Sequence, residues 1–123
     1  AMAGDGSTPS GRILKAETVA QMAHCDDNAP LVRALPTLAP TVTNDLHIWG
    51  DAKPRWSLGF LVNPETGPHG RPPGSLAWAG LANTYYWVDR DNHLAGVMMS
   101  QLMPFADKGC LGLFEAVEQA AYA

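Results

Sequence analysis

Between Ser75 and Gln101 the chain sets three short apolar and aromatic runs so close together that they read as neighbouring strands. The runs are Ser75 to Gly80, Thr84 to Val88 and Leu94 to Gln101. The last two flank Asp89, Arg90, Asp91, Asn92 and His93, a polar stretch that suits a tight hairpin. A fourth apolar run, Trp56 to Val62, ends at Asn63, Pro64, Glu65, Thr66 and Gly67, and a loop of Gly, Pro and His continues to Gly74. Tyr85, Tyr86 and Trp87 read as sheet packing, and Met98 and Met99 as core.

Helical patterns stand at both ends of this sheet. Leu14, Val19, Met22 and Ala23 recur at helical spacing and predict a helix over Lys15 to His24, with Glu17 in the first turn, where a negative charge suits the helix dipole. Asp26, Asp27, Asn28 and Pro30 stop it. A second helix is expected over Ala106 to Tyr122, with Cys110, Phe114, Val117 and Ala121 as its apolar stripe and Lys108, Glu115, Glu118 and Gln119 as polar positions. From Cys25 to Pro54 the prolines at 30, 36, 40 and 54 leave only one helical turn near Leu31 to Leu35 and an extended piece over Leu46 to Trp49. Such a long irregular segment is uncommon in a compact domain unless it belongs to something larger. The fold class is α+β, an antiparallel sheet of three or four strands flanked by N- and C-terminal helices.

The bulk numbers exclude several functions. A chain of 123 residues suffices for one small domain, and 46% hydrophobic with 16% charged residues is too apolar for disorder. The net charge of −4, without any Lys or Arg cluster, gives no reason to bind nucleic acid or an anionic membrane. No apolar run approaches the roughly 20 residues of a membrane span, and Ala1 to Ser10 lacks the core of a secretory signal. Cytoplasm and periplasm both stay open. Residues 1–11 read as a flexible lead-in, where Ala1 ahead of Met2 implies a processed end or a tag remnant. The histidines at 24, 47, 69 and 93 form no ligand pair, so neither metal nor cofactor is expected. His24, Cys25, Asp26 and Asp27 read as a polar helix end rather than a thiol or metal site. Cys25 and Cys110 are expected to be unpaired.

No serine catalyst is complete. Three residues beyond Ser7, Ser10, Ser57, Ser75 and Ser100 stand Ser10, Ile13, Phe60, Trp78 and Met103, so Ser-x-x-Lys is absent. No serine has glycine two places before it, which removes the nucleophile elbow.

One segment carries chemical information: Pro73-Gly74-Ser75-Leu76-Ala77-Trp78-Ala79-Gly80-Leu81, continuing through Asn83 and the aromatic run to Asp89. It resembles the serine β-lactamase and penicillin-binding-protein superfamily, and within it the esterases related to class C β-lactamases. Trp78-Ala79-Gly80 stands where that family has a Lys-Thr-Gly, Trp-x-Gly or His-x-Gly triplet on an active-site strand. Upstream, Gly11-Arg12-Ile13-Leu14-Lys15-Ala16-Glu17-Thr18-Val19-Ala20-Gln21-Met22 is similar to the family's Gly-x-Arg-Ile-Leu-Ser-Pro-Glu-Thr-Val-x-x-Met, with Lys15 and Ala16 in place of Ser and Pro. The helix after Pro104-Phe105 matches in character. The likeness implies that residues 12–123 are the C-terminal part of a β-lactamase/transpeptidase-like domain of bacterial type.

The same likeness implies roles. The backbone N–H of Leu81 would be one of two oxyanion donors, Gly80 would keep the strand bare for substrate, and Trp78 with Ala79 would wall the acyl or alcohol pocket. A neutral indole cannot face a carboxylate as the family's lysine does, which favours uncharged small-molecule esters, unless Arg71 or Arg55 replaces that cation. The family's Ser-x-x-Lys and Tyr-x-Asn motifs precede these segments and are absent here, so the chain is expected to be an inactive fragment of a carboxylesterase that works through an acyl-enzyme. Its expected partners are the missing N-terminal half and, through an exposed sheet edge, a second copy of itself. The alternatives are a stand-alone binding module, or a β-lactamase or D-peptidase as parent.

Overall fold

The computed structural model describes residues 1–47 and 52–123. In chain order the elements are β1 (Ser7–Thr8), β2 (Gly11–Arg12), α1 (Ala16–Ala23), β3 (Arg55–Trp56), β4 (Leu61–Val62), β5 (Leu76–Gly80), β6 (Thr84–Asp89), β7 (Leu94–Met98) and α2 (Lys108–Ala121). Strands β3 to β7 form one antiparallel meander in that spatial order. The architecture is therefore α+β, and its main sheet has five strands where the sequence predicts three or four. Trp56 to Val62 folds as two short strands, because Gly59 takes φ +98 and lets the chain reverse between them.

Other departures have equally local causes. The expected turn of helix at Leu31 to Leu35 is instead extended, bridging Leu31 to Arg55 and Leu35 to Leu46. Pro30 and Pro36 follow Ala29 and Leu35 directly, and a residue before proline is pushed out of the helical region. Leu46 lies in that bridge, while Ile48 and Trp49 fall outside the described residues. Within residues 1–11, β1 and the start of β2 form a small hairpin. It is tied by the Arg12 guanidinium to the Asp5 carboxylate at 3.0 Å, a contact that holds the Asp5 carboxyl down at about 2. Helix α1 begins at an N-cap, Lys15, whose side chain makes no capping bond, and it buries Val19.

The core lies between the sheet and α2. Tyr85, Trp87 and Asp89 are buried on one side of β6 and alternate with half-buried Thr84, Tyr86 and Val88, as a period of two demands. Phe114 of α2 meets Tyr85 at 5.3 Å and Trp87 at 5.5 Å between ring centroids. Burying one such ring contributes about 1.5–3 kcal/mol. Gly96 of β7 is paired with Trp87, and a Cβ there would lie 2.0 Å from the indole, so the large ring on one strand needs the bare position on the next. Met98 is half-buried against this core, but Met99 is 80% exposed, because β7 ends at Met98 and the chain leaves the sheet.

The inward stripe of α2 runs through Cys110, Phe114 and Glu118 to Tyr122, not through Val117 and Ala121. Glu118, expected on the polar face, is 3% exposed and receives both prongs of Arg71, Nε donating to Oε1 at 3.0 Å and Nη2 to Oε2. The guanidinium also lies 5.8 Å from the centroids of Trp87 and Phe114. Further along, the Trp87 Nε1–H donates to the Tyr122 hydroxyl at 3.1 Å, which donates to Asp89 Oδ2 at 3.0 Å. Burial would raise the Asp89 carboxyl, but hydrogen bonds from the Asn92 side chain and backbone and from Tyr122 outweigh it and hold it below the usual carboxylate range. Burial and that same carboxylate push the Tyr122 phenol up to about 12.

Two outcomes follow from this polar interior. Glu118→Ala removes the carboxylate that pairs with a buried guanidinium and is expected to lower the unfolding free energy by about 3–5 kcal/mol in urea titrations. Because the native Asp89 pKa is depressed, its contribution is present above the unfolded value of about 3.9 and lost as pH falls through the lower native value. Urea unfolding from pH 6 down to pH 3 should show a shallower acid loss in Asp89→Asn than in the native chain.

Candidate functional site

The triplet seen in the sequence sits on β5, whose two neighbours are unequal in length. On one side β6 pairs with all of β5, from Leu76↔Val88 to Gly80↔Thr84. On the other side β4 pairs only with Leu76 and Ala77. The reason is the β3–β4 reversal: the Ser57 N–H donates to the Phe60 carbonyl at 2.8 Å, and the hairpin closes before it reaches Trp78. The register of β4 therefore stops short of Trp78, Ala79 and Gly80, and their backbone edge extends past its end.

Aromatic side chains surround this edge. Trp78 and Trp56 meet edge to face with centroids 4.5 Å apart, and Phe60 meets Tyr86 at 6.4 Å. Trp78 pairs across the strands with Tyr86 and Ala77 with Trp87, and Trp78 and Ala79 are half-buried and pack against the edge of the core cluster. Burial pushes the Tyr86 phenol up, so it is a neutral wall and not a base. A Cβ built on Gly80 would meet only Thr84, at an ordinary 3.7 Å, and its φ is not positive. Neither packing nor backbone conformation demands glycine there.

Leu81 follows in a connection of three residues, Leu81 to Asn83, and its side chain is 54% exposed. Asn83, with φ 59, closes the turn in the left-handed conformation that asparagine tolerates. Its side chain is fully buried and bonded on all sides, a feature sequence reasoning passed over; the only signal was an asparagine at the end of a small-residue turn. Ser100 was missed as well: its hydroxyl donates to the Ala82 carbonyl at 2.6 Å.

The structure brings Trp78, Ala79, Gly80 and Leu81 together, and it gives each of the two candidate cations a partner of its own. Arg71 pairs with Glu118 of α2 and, with Trp78, Ala79, Tyr86 and Phe114, lines one small cavity. Arg55 lies on β3, where its guanidinium donates to the Ala29 carbonyl at 2.6 Å. Burial pushes the Cys25 thiol up despite Arg55 nearby, which disfavours the nucleophilic thiolate. Cys25 and Cys110 are both free. Among the described residues no group of three His, Cys, Asp or Glu could hold a metal, and no helix is long and apolar enough to cross a membrane.

A five-stranded antiparallel sheet backed by a C-terminal helix, with a half-open Trp-Ala-Gly strand, belongs to the β-lactamase/transpeptidase-like fold. Comparison with known proteins gives the same class. The sequence is 28% identical over 122 residues to acyltransferase calJ of Penicillium decumbens, covering 94% of this chain and 28% of that protein. Unliganded simvastatin synthase LovD of Aspergillus terreus superposes with a TM-score of 0.67 at 26% identity, covering 93% of this chain and 30% of that one. A second unliganded LovD structure gives a TM-score of 0.65 at 26% identity, with 89% and 29% covered. No family model matches the sequence. The chain thus spans less than a third of these relatives, as a C-terminal part of such an enzyme would. The relatives are fungal acyltransferases, whereas the sequence likeness implied an esterase of bacterial type.

The spare room at Gly80 is directly testable. Gly80→Ala should leave the unfolding free energy of the chain within about 1 kcal/mol of native in urea; a larger loss would mean that packing, not function, demands the glycine.

Proposed function

We propose that this chain supplies one wall and one oxyanion donor of a serine acyl-transfer site, and that the nucleophile and its base lie on polypeptide outside it. The observation that carries this reading is the edge of Trp78 to Gly80, which no described strand pairs beyond the end of β4, bare at a glycine that the fold does not need. An acyl group laid along that edge brings its carbonyl to the Leu81 turn.

When a serine attacks, the carbonyl carbon becomes tetrahedral and its oxygen carries negative charge. The Leu81 N–H is one of the two donors that receive it, the other coming from the nucleophile's own backbone. Collapse of the tetrahedral species expels the alcohol and leaves an acyl-enzyme. Transfer of the acyl group to a second alcohol makes the site an acyltransferase, and transfer to water makes it a carboxylesterase. The two acyltransferase relatives favour the first. Trp78 and Trp56 offer an uncharged aromatic wall, and Ala79 offers no hydroxyl, so the acyl donor is a neutral ester rather than a carboxylated lactam.

Two assays test this. The purified chain alone should release no p-nitrophenol from p-nitrophenyl butyrate; turnover by it would refute the missing nucleophile. In the longer polypeptide that carries the serine, Gly80→Val should lower acyl transfer about 10²-fold by displacing the substrate. An unchanged rate would remove the β5 edge from the site.

A further inference from the structure

The turn that carries Leu81 is held by a side chain with no remaining hydrogen-bonding capacity. Asn83 is 0% exposed. Its Nδ2 donates to the Leu102 carbonyl at 2.9 Å and to the Pro104 carbonyl at 2.8 Å. Its Oδ1 accepts from the Tyr85 hydroxyl at 2.7 Å and from the Asp107 N–H at 3.0 Å. An asparagine amide has two donor hydrogens and two acceptor lone pairs, so every position is used.

These partners come from several places. Tyr85 is in β6, Leu102 and Pro104 belong to the strap that leaves the sheet, and Asp107 is the N-cap of α2, whose own carboxylate accepts from the Cys110 N–H at 3.0 Å. The strap is fixed in turn, since the Phe105 N–H donates to the Val42 carbonyl and the Asn44 N–H to the Phe105 carbonyl, both at 2.8 Å. On the other side of the turn, Ser100 holds the Ala82 carbonyl. Leu81 is thus the exposed residue of a turn whose next two residues are both tethered.

We propose that Asn83, assisted by Ser100, is a positioning residue that presets the Leu81 N–H before substrate arrives. The proposal rests on the reading of Leu81 as oxyanion donor and adds what holds it. Donors stabilise a developing oxyanion strongly when they need no reorganisation at the moment of reaction. An ordinary three-residue turn at the end of a sheet, with an exposed leucine, would otherwise fluctuate. The buried amide exchanges that freedom for a fixed geometry, and the strap from Ser100 to Asp107 transmits the rigidity of α2 and of residues 42–44 to the site.

The test uses Asn83→Gly, which keeps the positive φ available while deleting all the side-chain bonds. In the native chain, ¹⁵N relaxation should give Leu81 and Ala82 order parameters near about 0.85, and in Asn83→Gly values below about 0.6 with the rest of the sheet unchanged. A folded variant whose Leu81 is as ordered as in the native chain overturns the clamp. Should Asn83→Gly fail to fold, Ser100→Ala, which removes the other tether, decides by the same readout. In the longer polypeptide that carries the serine, Asn83→Gly should lower kcat at least tenfold with KM within twofold of native. A loosened turn with unchanged kcat overturns the catalytic half of the proposal and Leu81 as donor together, whereas a rigid turn with unchanged kcat overturns the clamp alone.

Discussion

Strand β5 is paired along its whole length with β6 and along less than half of it with β4, and the rest of the structure can be read from that inequality. Full pairing on one side gives the strand a fixed twist and height. Early termination on the other leaves backbone groups at Trp78 to Gly80 beyond the last paired residue. A strand edge left open invites pairing with another chain unless something shields it. Here the shielding is aromatic: Trp56 lies against Trp78, and Phe60 against Tyr86. An acyl site needs that combination of a rigid edge, an apolar wall and a bare backbone.

The strength of the scaffold lies on the far side of the sheet. Two chains of polar contacts, Arg71 to Glu118 and Trp87 to Tyr122 to Asp89, cross a core whose other buried members are Leu61, Ala77, Tyr85, Cys110 and Phe114. Buried polar groups are costly when unpaired, so each chain fixes where α2 and the loop before β5 can sit. Helix α2 then anchors, through its N-cap Asp107, the strap that holds Asn83. Packing on one face and geometry on the other are in this way mechanically continuous.

Much of this was legible in the residues. The runs around Thr84 to Val88 and Leu94 read as strands because both are rich in aromatic, β-branched or large apolar residues. The two helices were placed within about two residues at each end, boundaries that fray in any assignment. What stayed hidden depended on tertiary neighbours. Nothing local says that Glu118 points inward; its partner Arg71 is 47 positions away, and only the spacing of four from Cys110 through Phe114 to Tyr122 hinted at it. Leu31 to Leu35 carried enough apolar residues for a turn of helix, yet its flanking prolines prevailed. The candidate site residues Trp78, Ala79, Gly80 and Leu81 were proposed through a family likeness, whereas Asn83 and Ser100 acquire meaning only once the strap folds over the turn.

The central claim concerns one backbone hydrogen bond donor, and one structure would decide it. The polypeptide that carries the serine should be inactivated with a neutral alkyl phosphonate, which leaves a tetrahedral adduct with an oxygen in the oxyanion position, and its crystal structure determined. If the account is right, that oxygen lies roughly 2.7–3.1 Å from the Leu81 nitrogen, with the alkyl chain against Trp78. A phosphonyl oxygen bound elsewhere, with the Leu81 N–H turned away from it, would contradict the account.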